Sequence, residues 1–401
     1  MKTLLFLTTS FPYDKGEEFI LNEIPYISGF DKIVIAPIKL NDNSVRTKDV
    51  PINKENIPIE VLSKKYNSGG LLSYLKLIFK LTIWCEVFNL VRCRKLNKAR
   101  LHQLLFFAKN GYAIYNGLKE VSVLKSDKAT IYSYWFYDGA FAGALLAKKF
   151  KAKFISRCHR FDIYDDRHQS NYIPFRKFLL SRVDSLYPCS QNGTTYLQTN
   201  YPSYKNKIRP SFLGTEKTVE CSCSNNPFNI VSCSSMIPVK RLDLLVKALA
   251  LLDFPVTWTH IGDGELKKQI ESIELPENIT AIFKGQIANH EILDFYSKEN
   301  ISVFVNLSSS EGLPVSIMEA MSFGIPIIAT NVGGTSEAVS DEVGILLPEN
   351  PTLKEISDSF RKLYDMDKIE YKKLCQNSYK KWSKNFNCAD NYKKFYKDLK
   401  N

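Results

Sequence analysis

Two glutamates eight residues apart, Glu311 and Glu319, stand in the segment SSSEGLPVSIMEAMSFGIPIIATNVGG, residues 308–334. Paired carboxylates invite acid–base work on a glycosidic bond. Pro314 suits the first turn of a helix and Gly324 its end, so a helix over 313–323 puts Glu311 in the preceding loop and Glu319 two turns in. At roughly 1.5 Å of rise per residue the two positions differ by about 12 Å along the axis. Glycosidase carboxyl pairs lie roughly 5–9.5 Å apart, so hydrolysis fits poorly. The span better suits a ligand with hydroxyls at both ends and an anion between them. Around Pro314, the amides of Gly312, Leu313 and Val315 lie at the helix start, a place that holds phosphate or sugar oxygens.

The elements around this segment alternate. At 401 residues the chain is long enough for two domains. Residues 3–8 and 32–37 read as buried strands and 71–120 as helix-rich. ATIYSYWF and KFISRCHR read as strands flanking the helical DGAFAGALLAKKF. IPFRKFLLSRV is helical, and SLYPCS forms a strand and turn. A polar seam follows at 213–228, and strand–helix alternation restarts with NIVSCSS and KRLDLLVKALALL. Both halves are α/β with a doubly wound parallel sheet, and ligands of such sheets bind beyond the carboxyl ends of the strands. The expected domains are 1–215 and 216–384, facing a central cleft, with a last helix at 385–401 returning to the first.

EGLPVSIMEA followed by GIPIIATNVGGTSEAV is similar to the E-x7-E signature of the retaining nucleotide-sugar glycosyltransferases of family 4, which have the GT-B fold of two Rossmann-like domains. SSMIPVKRLDLLVKAL, IGDGELKKQI, FKGQI, SRCHRFDIY and SFPYDKGEEF resemble further family segments in the expected order, covering nearly the whole chain. The resemblance implies that Glu311 holds the donor sugar with the backbone of Gly312 and Leu313, that Glu319 holds the ribose, and that Lys240 neutralises the diphosphate. It also implies His159 beside the reacting centre, Gly16 lining the cleft, Gly262 in the next strand–turn and Gln286 in the base-side loop. Pro314 and Val315 complete the donor loop. Where the family has Gly-Arg this chain has Ser234-Ser235, so Ser235 hydroxyl or Arg241 stands in for the missing arginine. No metal or other cofactor is required, and D-M-D at 365–367 reads as surface. A UDP-sugar is favoured over a GDP-sugar, the acceptor is a glycan or a lipid-linked glycan of surface-polysaccharide assembly, and the anomeric configuration is retained.

The formal net charge is +12, distributed as +13 over 1–200, −8 over 201–360 and +7 over 361–401. The basic half therefore meets any anionic partner. Nucleic-acid motifs are absent and the acidic middle opposes a long phosphate track, so nucleic acid is not the expected partner. Lys64, Lys65, Lys76, Lys80, Arg92, Arg94, Lys95, Lys98 and Arg100 interleave with Leu, Phe and Trp84, as in helices lying on anionic membranes. A self-packed, solvated surface is the other reading of that stretch. Residues 71–91 are long enough to span a bilayer, but Lys76, Lys80 and Glu86 interrupt them. The opening apolar run is short for a secretory signal and reads as a first strand. Nine cysteines without a C-x-x-C pair, Cys221 and Cys223 being the close ones, suit reduced thiols in the cytoplasm. A nucleotide-sugar epimerase and a nucleic-acid-binding protein are the competing functions.

Overall fold

The computed structural model describes every residue except 67–68, 127, 217–223 and 401. Cys221 and Cys223 lie outside the described residues. The chain divides into two units, residues 1–211 with 392–401, and residues 212–391.

The first unit carries strands β1 (Lys2–Thr8), β2 (Lys32–Pro37), β3 (Ile59–Val61), β4 (Lys128–Ser133), β5 (Lys153–Cys158) and β6 (Ser185–Pro188). They form one parallel sheet in the order β3-β2-β1-β4-β5-β6. Its helices are α1 (Leu71–Leu77), α2 (Leu81–Arg92), α3 (Lys98–Leu118), α4 (Asp138–Phe150), α5 (Arg160–Ile163), α6 (Arg176–Arg182) and α7 (Gln191–Asn200). Near-continuous apolar strands such as Leu4 to Leu7 are buried because helices cover both faces of a parallel sheet.

The second unit repeats the plan with β7 (Asn229–Cys233), β8 (Val256–Ile261), β9 (Ile279–Gly285), β10 (Val303–Asn306), β11 (Ile327–Thr330) and β12 (Gly344–Leu347). The order is β12-β11-β10-β7-β8-β9, which from the other edge is the same winding as the first sheet. Its helices are α8 (Leu242–Leu249), α9 (Lys267–Glu271), α10 (Asn289–Lys298), α11 (Val315–Ser322), α12 (Thr335–Ala338), α13 (Leu353–Tyr364) and α14 (Lys368–Asn385). On α8, Leu242, Leu245, Val246 and Leu249 are buried at helical spacing, and they join Trp258 and Val305 in the core. In each sheet the winding reverses direction at one place, between β1 and β4 and between β7 and β10. Those are the switch points where crevices open in this architecture.

A last helix, α15 (Cys388–Lys400), lies from residue 392 onward in the first unit. There Tyr396 Oη donates to Glu23 at 2.8 Å, and the guanidinium of Arg157 lies 4.2 Å from the ring centre of Phe395. Asp367, within the D-M-D run, caps α14 by accepting from the amides of Ile369 and Glu370.

Candidate active site

The loops leaving β7 and β10 meet at the second switch point. After β7 the chain turns through Ser234 and Ser235 into a short 3-10 turn, Pro238–Lys240, and then into α8. After β10 it runs through Ser308–Pro314 into α11. The amide of Ser309 donates to Val239 O at 2.9 Å, tying the two loops together. Their charged side chains then touch: Lys240 Nζ lies 2.5 Å from Glu311 Oε1, with both side chains largely shielded. Asn306 Nδ2 approaches the same oxygen at 3.5 Å.

Backbone packing fixes Glu311. Gly334 N donates to Gly312 O at 2.6 Å. Gly333 has φ of 56°, and a Cβ there would fall 1.8 Å from Glu311 O. Only glycine allows that approach, so the Gly333-Gly334 pair sets the path of the Glu311 loop. Behind the β7 loop, Gly262 does the same: its missing Cβ would lie 1.9 Å from Ser234 O. Its role is thus to let two loops close together.

Pro314 is the residue capping α11, which begins at Val315. The helix starts two residues later than the spacing suggests, because Pro314 adopts an extended ψ of 120°. The first amides of α11 have no acceptor within the helix, as at any helix start. One and a half turns on, Glu319 is buried and its Oε1 accepts from Asn289 Nδ2 at 2.7 Å. Burial, then the charge of Glu319, pushes the thiol of nearby Cys233 up to about 12. It is therefore a thiol, not a thiolate nucleophile, at neutral pH.

Arg241 has another job than supplementing Lys240. Its guanidinium donates to Leu307 O at 2.6 Å, Ser308 O at 3.0 Å, Glu349 O at 2.8 Å and Asn350 Oδ1 at 3.2 Å. Those four oxygens hold the group as a brace between the ends of β10 and β12. Ser235 and Gln286 are exposed at the ends of β7 and β9. Asn289 and Asn306 escape sequence reasoning because asparagines near strand ends are common. Their one signal is position: Asn306 ends β10, which feeds the switch point, and Asn289 opens α10. Ser308 Oγ, in the loop after β10, and Thr335 Oγ1, at the start of α12, are buried without a hydrogen-bond partner among the described residues.

In the first unit His159 follows β5. Trp135, Tyr134 and Phe19 surround it with ring centres at 4.5, 4.9 and 5.8 Å. Neither ring nitrogen has a hydrogen-bond partner among the described residues. Burial, with Arg157 adding repulsion, lowers its pKa to about 3, so the ring is neutral at physiological pH. Asp162 braces the turn: its oxygens accept from the amides of His159 and Phe136, both at 2.5 Å. Burial raises its pKa to about 7 against those hydrogen bonds. Gly16, at φ of 95°, is exposed beyond β1. Its neighbour Glu17 is the buried group there. Glu17 accepts from the amides of Thr9, Ser10 and Phe11 at 2.8–2.9 Å and from Trp135 Nε1 at 2.7 Å.

Residues 222–382 match the family model of the glycosyl transferases group 1. The chain is a GT-B glycosyltransferase. It is 28% identical to the uncharacterized glycosyltransferase MJ1178 of Methanocaldococcus jannaschii over 273 residues, 67% of this chain and 75% of that relative. It is 27% identical to the lipopolysaccharide core biosynthesis mannosyltransferase LpsB of Rhizobium meliloti over 246 residues, 56% of this glycosyltransferase and 67% of LpsB. Among solved structures, Anabaena HepE in complex with UDP and glucose superposes with a TM-score of 0.68 at 16% identity, over 100% of both chains. That likeness is one of fold.

Proposed function

We propose that this glycosyltransferase moves a sugar from a UDP-sugar to a glycan or lipid-linked acceptor in surface-polysaccharide assembly, with retention at the anomeric carbon. The contact of Lys240 with Glu311 at the β7–β10 switch point carries the proposal. A diphosphate takes over the lysine, whose compact charge suits phosphate, and the sugar hydroxyls donate to Glu311. The first amides of α11 support the anion. Glu319, steadied by Asn289, accepts from the ribose hydroxyls. UDP is favoured because a structural neighbour, HepE, holds UDP and glucose. The acceptor class follows LpsB, named for lipopolysaccharide core biosynthesis.

In the proposed step the bond from the anomeric carbon to the diphosphate oxygen breaks, and the diphosphate leaves with the electron pair. The acceptor oxygen bonds to the same face of that carbon, and its proton passes to the departing phosphate oxygen. Lys240 and the helix amides stabilise the growing charge, so no cofactor enters the step. Cys233 supplies no nucleophile, and neutral His159 serves as a hydrogen-bonding group to bound substrate. The absence of a C-x-x-C pair in the sequence fits a reducing, cytoplasmic setting.

A panel of UDP- and GDP-sugars, followed by NMR of the anomeric proton in donor and product, tests this reading. One UDP-sugar should turn over with the same anomeric configuration in both. Inverted product, or turnover of GDP-sugars alone, would refute retention or the donor assignment respectively.

A further inference from the structure

The first unit leaves an unusual amount of apolar surface in one place. Among the described residues, eleven of the eighteen exposed large hydrophobic side chains fall between Leu72 and Phe106. Helix α2 carries two apolar stripes. Ile83 and Leu90 face the core, while Leu81, Trp84, Phe88 and Val91 recur at intervals of three and four on the opposite side, 52–77% exposed. That periodicity lines up one helix face, and the fold does not use it. The indole of Trp84 donates to Ile78 O at 2.7 Å, which joins the stripe to the end of α1, where Phe79 is 87% exposed.

The charge of this surface has one sign. Residues 71–109 contain eight Lys or Arg and a single carboxylate, Glu86. Glu86 is buried, accepting from Tyr172 Oη at 2.6 Å and Phe175 N at 3.2 Å. Against the hairpin lies an open hollow of about 630 Å³, lined among others by Lys76, Lys80, Lys109, Tyr66, Tyr112 and Phe79, with no carboxylate in its wall.

We propose that the α1–α2 hairpin docks this enzyme on an anionic phospholipid bilayer. The outer stripe enters the boundary between headgroups and acyl chains, and lipid phosphates settle among Lys76, Lys80 and Lys109. Apolar side chains flanked by cations match such a surface. A second copy of the chain does not, because two faces of like charge would repel. Spanning is not involved, since no helix among the described residues is long and apolar enough to cross a membrane. The docking is independent of the donor reading and needs no turnover.

Flotation of the full chain with vesicles tests it. Wild-type protein should float with phosphatidylcholine vesicles containing phosphatidylglycerol, remain behind with phosphatidylcholine alone, and be released by high salt. Leu81→Ser with Phe88→Ser, and separately Lys76→Glu with Lys80→Glu, should each lower partitioning at least about tenfold. All four side chains are exposed, so circular dichroism should be unchanged. Leu251→Ser with Ile369→Ser, exposed positions in the second unit, should float like wild type. Failure of wild type to float at low ionic strength, equal flotation of the variants, or a concentration-dependent dimer abolished by the same substitutions would overturn the proposal.

Discussion

His159 is a polar ring in an aromatic cage, and none of the described residues bonds to its nitrogens. Phenylalanine fills nearly the same space, so His159→Phe should fold with close to wild-type stability at pH 8. If the ring bonds to substrate, turnover should still fall by on the order of 10²-fold or more. Stability separates the two roles further. The folded pKa of about 3 lies below the unfolded value near 6.5. The unfolded chain therefore binds the extra proton, and stability is lost as pH falls from about 6.5 towards 3. The slope should approach about 1.4 kcal/mol per pH unit for this one group. Denaturant melts from pH 4 to 7 should show that increment in wild type and not in His159→Phe; parallel pH profiles would place a partner on the ring. Residue type and spacing singled out both glutamates, whereas Lys240 and this histidine were singled out only by the family resemblance. The asparagines that approach the glutamates were not, because Asn306 ends a strand and Asn289 opens a helix, places where asparagine is common whatever the function. Arg241 misled for a related reason: adjacency to Lys240 says nothing of where a long side chain turns, and four oxygens claimed it.

At the scale of elements, strand–loop–helix crossings bring residues 71 positions apart into contact. Local apolar runs made most strands readable in advance, and β4 only stopped earlier than its aromatic sequence suggests. β3 and β12 were not recognised; they are short edge strands of three and four residues, and their pattern is weak. The Glu311 loop depends on Gly333 more than on any side chain. Gly333→Ala puts a Cβ 1.8 Å from Glu311 O at a φ of 56°. It should cost about 1–3 kcal/mol in strain, and by displacing the loop reduce kcat/KM by on the order of 10²-fold. A kinetic assay beside a thermal melt checks this, and unchanged kcat/KM would show that the loop path does not matter.

At the scale of the molecule, each sheet of the GT-B fold is wound alike, yet the two differ in charge and in what their switch points hold. In the first unit the tail completes a buried network: Tyr132 and Tyr396 both donate to Glu23, whose carboxylate lies 3.3 Å from Arg157 Nε. Tyr396→Phe removes one bond to a charged acceptor and should cost about 1.5–3 kcal/mol in denaturant melts. Its affinity for UDP should stay at the wild-type value, because the proposed nucleotide site lies in the second unit. The division of labour at that site is open to calorimetry. Titrating UDP and a UDP-sugar into wild type, Lys240→Ala and Glu311→Gln separates the two charges. Lys240→Ala should weaken both ligands by tenfold or more, taking the loss of a charged hydrogen bond as about 1.5–3 kcal/mol. Glu311→Gln should bind UDP as wild type does and lose the added affinity of the sugar. Wild-type affinities for both ligands in both variants would contradict the assignment of this lysine and glutamate to the donor.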